Sequence, residues 1–438
     1  MLYRLVVQNF KSFKNRAAFS MIPDEQSKYV GFRETDISVL KDAVIYGPNA
    51  SGKSNLIKAL NFLRSLVVKD NFLAGERNQA FRLDEVSVNA PTLLSVEIRL
   101  PRGLFQYSIG FSFRESVILK ESLRKFEELT QTWLPLFVRP SSIIGKAVDL
   151  NFSPDSPLAN KYAIYVEDIA SEPIRPFLSF MASKKLAGDQ LIDDINAVYQ
   201  WFEKLVVIFP ETEYNLVGAL NANEEGVNRT FKKYFDLFKI DIDSIKLTDV
   251  PANSFQLSEN SMLSLKRDLI RSSQGASAIL HARGQNYLVS LDRESNLSFK
   301  AVSFVHKAGT YSAEFAMSDE SDGTKRLFDM IPLIGRLIEE NHVVVIDEID
   351  RSLHCLLTRQ IMKTILEKGV STNSQIIVST HDVLLMDQHL LGRKEVWFVR
   401  RDKMESSLFP LDQFKFESEK VDFVRNYLIG RFNAIPEF

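Results

Sequence analysis

Residues Ile45 to Leu56 read IYGPNASGKSNL, which fits the form G-x-x-x-x-G-K-[ST], with Gly47 and Gly52 bracketing a loop closed by Lys53 and Ser54. A polyphosphate can be wrapped by successive backbone N–H groups only where no side chain blocks the approach and unusual φ angles are open. The run Gly47, Pro48, Asn49, Ala50, Ser51 and Gly52, continuing into Lys53, Ser54 and Asn55, offers such a cradle. The helix expected from Lys53 adds unpaired N–H groups and a dipole that favour an anion. Lys53 is placed to reach the outer phosphates, and Ser54 to give one oxygen to Mg²⁺. A glycine-rich turn can match this pattern by accident. Here, though, DAVIY ahead reads as a buried strand, and SNLIKALNFLRSL behind repeats Leu56, Leu60 and Leu63 at helical spacing.

If that loop holds MgATP, a second element must face the metal and prepare a water for attack. HVVVIDEIDRSLH supplies it: Val343 to Ile346 is an apolar run of the kind buried on both faces of a parallel sheet, and it ends in Asp347 and Glu348. Asp347 is the candidate metal-side acid. Glu348 is the candidate base that polarises the water. In QIIVSTHDVLLMD, a further buried strand ends at Ser379, Thr380 and His381, where a neutral imidazole could hydrogen-bond a γ-phosphate oxygen or the water. Upstream, Ser321 and Gly323 are read as preceding a helix whose Leu327, Ile331 and Ile334 share one face, which gives a second anion-favouring helix start. Capping alone would explain a serine there.

The elements that must position these groups belong to a globular chain. It has 438 residues, enough for two or three domains, and its 45% hydrophobic content supports a core in each. Lys plus Arg number 54 against 56 Asp plus Glu, so no overall field points to nucleic acid or to an anionic membrane. The single cysteine, Cys355, allows neither an internal disulfide nor a cysteine-built zinc site, which fits a cytoplasmic location. The N-terminal MLYRLVVQNFKSFKN alternates like a strand, is no signal peptide, and no apolar run approaches membrane-spanning length.

The motif order is phosphate loop, long intervening segment, Ser-x-Gly helix, Asp-Glu strand, DRSLH loop and His381. In this order the sequence resembles the ABC-type ATPase heads of the SMC, RecF and OLD group. The resemblance makes Ser321 to Thr324 the signature motif, with Ser321 and Gly323 meeting a bound nucleotide, Asp350 to His354 the D-loop, and His381 the switch histidine. SDGTKRLFDMIPLI, VIDEIDRSLH, YLIGRFNAIPEF and VVQNFKSFKN are similar, more narrowly, to prokaryotic AAA ATPases of abortive infection, the AbiL or RloA type. Asp322 departs from the first signature glycine of the ABC form, and Gln79 in RNQAFRL is the candidate Q-loop residue. The resemblance implies an α/β fold: a RecA-like parallel sheet plus an antiparallel β subdomain, with a mainly helical insertion. The head is expected from 1–120, carrying the phosphate loop, and from 285–438, carrying the remaining motifs, with the insertion at 121–284.

In that insertion, DDINAVYQWFEKLVVIF and VNRTFKKYFDLFKI read as helices without sustained heptads. RTFKKYF reads as a solvated basic helix face, and Asp241 to Asp243 as a solvated turn. No histidine has an arginine five residues before it, and the stretch after His381 is too short for an appended Toprim nuclease. The expected function is therefore an ATP-hydrolysing, Mg²⁺-dependent switch of anti-phage defence. Its expected partners are a second copy in a head-to-head dimer, a separately encoded effector, and a phage protein as trigger. Two alternatives stay open: an ATP-gated DNA-binding repair head of the RecF or SMC type, and a nuclease with its site in the insertion.

Overall fold

The computed structural model describes residues 1–69, 72–140, 148–211, 224–255, 258–271, 277–282, 285–292, 294–415 and 422–435. The last residues of the YLIGRFNAIPEF motif, and the boundary expected at 284, lie outside these ranges. Two units emerge from the chain: Met1–Phe209, Glu340–Ile349 and Val370–Phe438 make the first, and Pro210–Glu339 with Asp350–Gly369 make the second.

The first unit opens with β1 (Leu2–Gln8), whose Leu2, Leu5 and Val7 are buried. After β2 (Ala17–Ser20), the short pair β3 (Val30–Gly31) and β4 (Val39–Leu40), and β5 (Asp42–Tyr46), the chain enters α1 (Lys53–Val68). It buries Leu56, Leu60 and Leu63, as their spacing predicts. The short α2 (Glu85–Asn89) is followed by β6 (Thr92–Leu100), β7 (Gly103–Ser112), β8 (Val117–Glu127), β9 (Thr132–Arg139) and β10 (Asp149–Leu150). These strands form a seven-stranded sheet in the order β10-β9-β8-β7-β6-β1-β2, antiparallel throughout.

Among its described residues, the stretch 121–284, expected to be mainly helical, holds both helices and strands. Its first part continues the antiparallel sheet, because β8 turns Ile118 and Leu123 inward while Lys120 and Arg124 face out. The helices α3 (Ala159–Asp168), α4 (Phe177–Ser183) and α5 (Gln190–Lys204) then lead to β11 (Val206–Ile208). Buried Glu121 on β8 fixes α4 to the sheet by accepting the Phe177 N–H at 2.7 Å, the Leu178 N–H at 3.0 Å and the Tyr107 hydroxyl at 3.0 Å.

In the second unit, β12 (Ser244–Val250), β13 (Ser277–Ala282), β14 (Gln285–Leu291) and β15 (Leu297–Ala308) form a sheet in the order β12-β15-β14-β13, with β16 (Tyr311–Ala316) pairing to β15. Of its helices, α6 (Glu224–Phe238) buries Phe231, Tyr234 and Phe235 while Lys232 and Lys233 stay outside. The RTFKKYF run therefore has an apolar face turned inward. Phe231 stacks at 4.6 Å on Phe328 of α8 (Asp322–Glu339), and α7 (Glu259–Arg271) and α9 (Cys355–Lys368) complete the set. Asp241 is exposed and Asp243 pairs with Lys307 at 2.8 Å.

The chain returns to the first unit with β17 (Val343–Ile346), β18 (Gln375–Ser379), β19 (Val396–Asp402), β20 (Glu405–Pro410) and α10 (Phe423–Leu428). The second sheet runs β11-β17-β18-β5-β19-β20. Its first five strands are parallel, and β20 closes the edge antiparallel. Every residue of β5, β17 and β18 is buried, as near-continuous apolar runs predict for central parallel strands. Among the described residues no helix is long and apolar enough to cross a membrane.

Candidate nucleotide site

Strand order decides which side chains meet. In a parallel sheet, ligands gather beyond the carboxyl ends of the strands. Here β18 is inserted between β5 and β17, so the phosphate loop, the Asp347–Glu348 pair and His381 leave three adjacent strands at the same edge. The resulting cleft, of about 230 Å³, is lined by Ser12, the residues Asn49 to Asn55, Glu348, His381 and Arg401.

The loop's two glycines are required by contact as well as by φ. Gly52 has φ of 118°, and a Cβ there would lie 2.3 Å from Ser406 Oγ and 2.9 Å from Ser12 Oγ. Gly47, with φ of 152°, would set a Cβ 2.3 Å from the Val399 carbonyl oxygen. Ala50 also holds a positive φ, 61°, at a cost only a fixed surrounding can sustain. Lys53 is 5% exposed, and its Nζ donates to the Gly47 carbonyl at 2.7 Å and the Pro48 carbonyl at 3.0 Å. The ammonium thus lies along the inside of the loop, where a phosphate chain would run. Ser54 follows in the first turn of α1.

Two serines far away in sequence buttress the loop. Ser406 on β20 donates to the Ser51 carbonyl and its Oγ shares a hydrogen bond with Ser12 Oγ at 2.7 Å, while Asn55 Nδ2 donates to Ser12 Oγ at 2.8 Å. Arg401 on β19 donates from Nη1 to the Ala50 carbonyl at 3.3 Å, which brings a second cation to the cleft. Arg401 and Ser406 belong to no motif, and Ser12, although inside the VVQNFKSFKN stretch, carries no site role in the sequence reading. The only signal for them is their pairing with the loop in the folded sheet.

On the acid side, Asp347 is 2% exposed and accepts a hydrogen bond from Ser379 Oγ at 2.5 Å. The same hydroxyl accepts from the Glu348 N–H at 2.9 Å, and the Ser379 carbonyl accepts from the Ile349 N–H at 3.1 Å. Glu348 is held in the left-handed region at φ of 52°, which aims its carboxylate into the cleft rather than along the strand. Strain of this kind in a non-glycine residue is characteristic of functional sites. His381 is exposed at the mouth, two residues past Ser379.

The residues fit a magnesium-bound triphosphate. The loop presents a backbone cradle that tolerates no Cβ at Gly47 or Gly52, Lys53 supplies a cation, and Ser54 and Asp347 supply oxygen donors of the type Mg²⁺ takes. Ser321, Gly323 and Asp350 belong to the second unit. There, α8 begins at Asp322, so Gly323 lies inside its first turn rather than ahead of it. Ser321 Oγ caps the helix by accepting from the Thr324 N–H at 3.1 Å. A Cβ on Gly323 would lie 2.8 Å from the Ser352 carbonyl oxygen, so the helix start is packed directly against the backbone at Ser352. Gln79 hydrogen-bonds to Glu76 Oε2 at 2.8 Å and does not line the cleft.

Residues 43–149 and 189–387 match the family described as "AAA domain, putative AbiEii toxin, Type IV TA system", and the chain belongs to that family. Its fold is that of an ABC-type P-loop ATPase head, with a parallel nucleotide-site sheet and an antiparallel β subdomain. No curated protein matches the sequence. Among solved structures, the chain is similar to the SMC head domain from Thermotoga maritima, with 14% identity over 93% of this chain and 98% of that one, at a TM-score of 0.41. It is also similar to the SmcHead bound to the C-winged helix domain of ScpA, with 10% identity over 93% and 97% of the two chains, at a TM-score of 0.42. These overlaps are loose, and the fold assignment rests on the strand order and the family.

Proposed function

We propose that this chain is an ATP-hydrolysing switch of the AbiL or RloA type in prokaryotic anti-phage defence, controlling an effector encoded by a neighbouring gene. The observation that carries the ATPase reading is the convergence of the Lys53 loop, Glu348 and His381 on one cleft. Lys53 and the loop N–H groups bind the phosphates, and Ser54 with Asp347 holds the metal side. Bound Mg²⁺ would neutralise phosphate charge. Glu348 takes the proton of the attacking water, and His381 orients the terminal phosphate or that water. Ser321, Gly323 and Asp350 act on a nucleotide bound by a second copy of the chain, so the working unit is at least a dimer.

The switch reading is supported by the motif set, which describes an ATPase without a recognisable toxic site, and by the narrower sequence resemblance. The family's description names a putative toxin, so the two readings need separating. The chain should be expressed alone and together with its neighbouring genes, with growth, phage protection and co-purification followed in each case. The expected result is that the chain alone is harmless, that it co-purifies with a neighbour's product, and that protection requires both. Toxicity of the chain alone, or full protection with every neighbour deleted, would overturn the switch. Salt-dependent DNA binding stimulated by ATP would instead favour the repair-head reading. Metal-dependent cleavage of nucleic acid by the purified chain would favour the nuclease reading.

A further inference from the structure

A second cavity, of about 380 Å³, opens in the first unit at the other end of the parallel sheet, where β11 and β17 begin. Its size falls within the range of roughly 300–1,000 Å³ usual for small-molecule sites. Arg99, Arg102, Lys204 and His342 line it together with Trp201 and Phe32, and no aspartate or glutamate is among its lining residues. Asp193 and Asp194 match Arg102, and Glu340 meets His342 Nε2 at 2.6 Å, which leaves Arg99 and Lys204 as the cations over apolar surface that would draw an anion.

Two of these cations have no carboxylate at salt-bridge distance among the described residues, although the charge of Glu128 reaches Arg99 and that of Glu203 reaches Lys204. Arg99 is 4% exposed, with Nε and Nη1 spent on the carbonyls of Ile37 and Leu100 and its guanidinium 4.8 Å above the Phe32 ring. No carboxylate among the described residues pairs with it, or with Lys204 at the end of α5. Arg102, by contrast, is matched by Asp193 and Asp194. A guanidinium buried without an anion is costly, and a site that receives one offsets that cost. Two further polar atoms on lining residues are also unsatisfied. The indole N–H of Trp201, itself 7% exposed, and Nδ1 of His342 are buried with no hydrogen-bond partner among the described residues. Native proteins pair nearly all such groups, so two orphaned groups beside a buried cation with no carboxylate at salt-bridge distance mark a place completed by something else.

We propose that this cavity is a binding site for a small organic anion: a phosphate or carboxylate headgroup on a planar apolar body, with the headgroup on Arg99 and Lys204 and the body against Trp201 and Phe32. The site is separate from the nucleotide cleft, since the two share no lining residue. The probe is 8-anilino-1-naphthalenesulfonate, added to the full chain while energy transfer from tryptophan is followed. We expect saturable binding of one probe per chain, unaffected by saturating MgATP, with the transfer signal largely lost in Trp201→Phe. Lys204→Glu, at an exposed position that leaves the fold intact, should weaken the probe at least tenfold, and Arg99→Met should weaken it further. Phenyl phosphate and benzoate then compete; whichever displaces the probe at lower concentration identifies the headgroup. Equal affinity in Lys204→Glu, displacement by MgATP, an unchanged signal in Trp201→Phe, or competition by neither anion would each overturn the assignment.

Discussion

Ser379 Oγ lies 2.5 Å from the Asp347 carboxylate and at the same time accepts the Glu348 N–H at 2.9 Å. One hydroxyl at the end of β18 therefore sets the orientation of both acids at the end of β17.

Because partners behind a metal ligand typically change affinity or activity by about 10–100-fold, Ser379→Ala should lower ATP turnover within that range. Nucleotide binding measured in EDTA should be unchanged, and the Mg²⁺ concentration needed for half-maximal turnover should rise. Wild-type turnover in Ser379→Ala would mean that the strand ends alone hold the acids.

Glu348→Gln keeps the shape of the side chain but removes its basicity. It should bind MgATP while hydrolysing it at least about 100-fold more slowly, the lower range for loss of a general base. Lys53→Ala should act at the binding step instead, because it removes the charge that lies along the loop. Equilibrium titration with a fluorescent ATP analogue, alongside phosphate release, separates the two effects.

The contact between Gly323 and the Ser352 carbonyl sharpens the expectation for assembly. Even Gly323→Ala would push a methyl to 2.8 Å from that oxygen, so it should reduce turnover without altering ATP affinity, and Gly323→Glu should abolish turnover. If the site is shared between copies, the specific activity of the wild type rises with protein concentration. A strictly monomeric sample working at full rate would refute the shared site.

Burial pushes the Glu395 carboxyl up to about 7, with the charge of Asp24 adding to the shift, and burial together with Glu395 holds Asp42 well above the ordinary carboxylate range. A folded-state value above the unfolded one means the fold prefers the protonated acid. The associated stability is fully present below about pH 4 and is lost as pH climbs through about 7. Glu395→Gln should therefore unfold at a higher temperature than wild type at pH 8, with the difference shrinking towards pH 4. Thermal melts at several pH values test this.

What the sequence revealed was what lies contiguous along it. The loop from Gly47 to Ser54, the Asp347–Glu348 pair and His381 each follow directly on an apolar strand, so strand end and functional group are read together. Ser12, Arg401 and Ser406 could not be read that way. The contacts of Arg401 and Ser406 with the loop span 351 and 355 residues and that of Ser12 spans 43, and they come together only because β20 and the turn after β1 meet there. The strands β8 and β9 were hidden for another reason. β8 turns Lys120 and Arg124 outward and buries Glu121, and β9 turns Leu134 and Pro135 outward, so the apolar alternation is weak until the sheet is assembled. Gly323 was legible as a motif member, but its contact with the Ser352 backbone was not.

The five residues of β18 are buried, and the strand is paired on both sides, Gln375–Val378 with β17 and Ile376–Ser379 with β5. Two inter-strand steps, about 10 Å in all, thus separate the origin of the phosphate loop from the origin of the acid pair. That separation cannot change without breaking a ladder, so β18 acts as a fixed ruler across the site. Amide hydrogens along it should exchange with deuterium only at the rate of global unfolding, while those of the loop at Asn49 to Ser51 exchange through small local openings. Any movement that accompanies a catalytic cycle must then be sought in the loops and side chains at the ends of the ruler, not in its length.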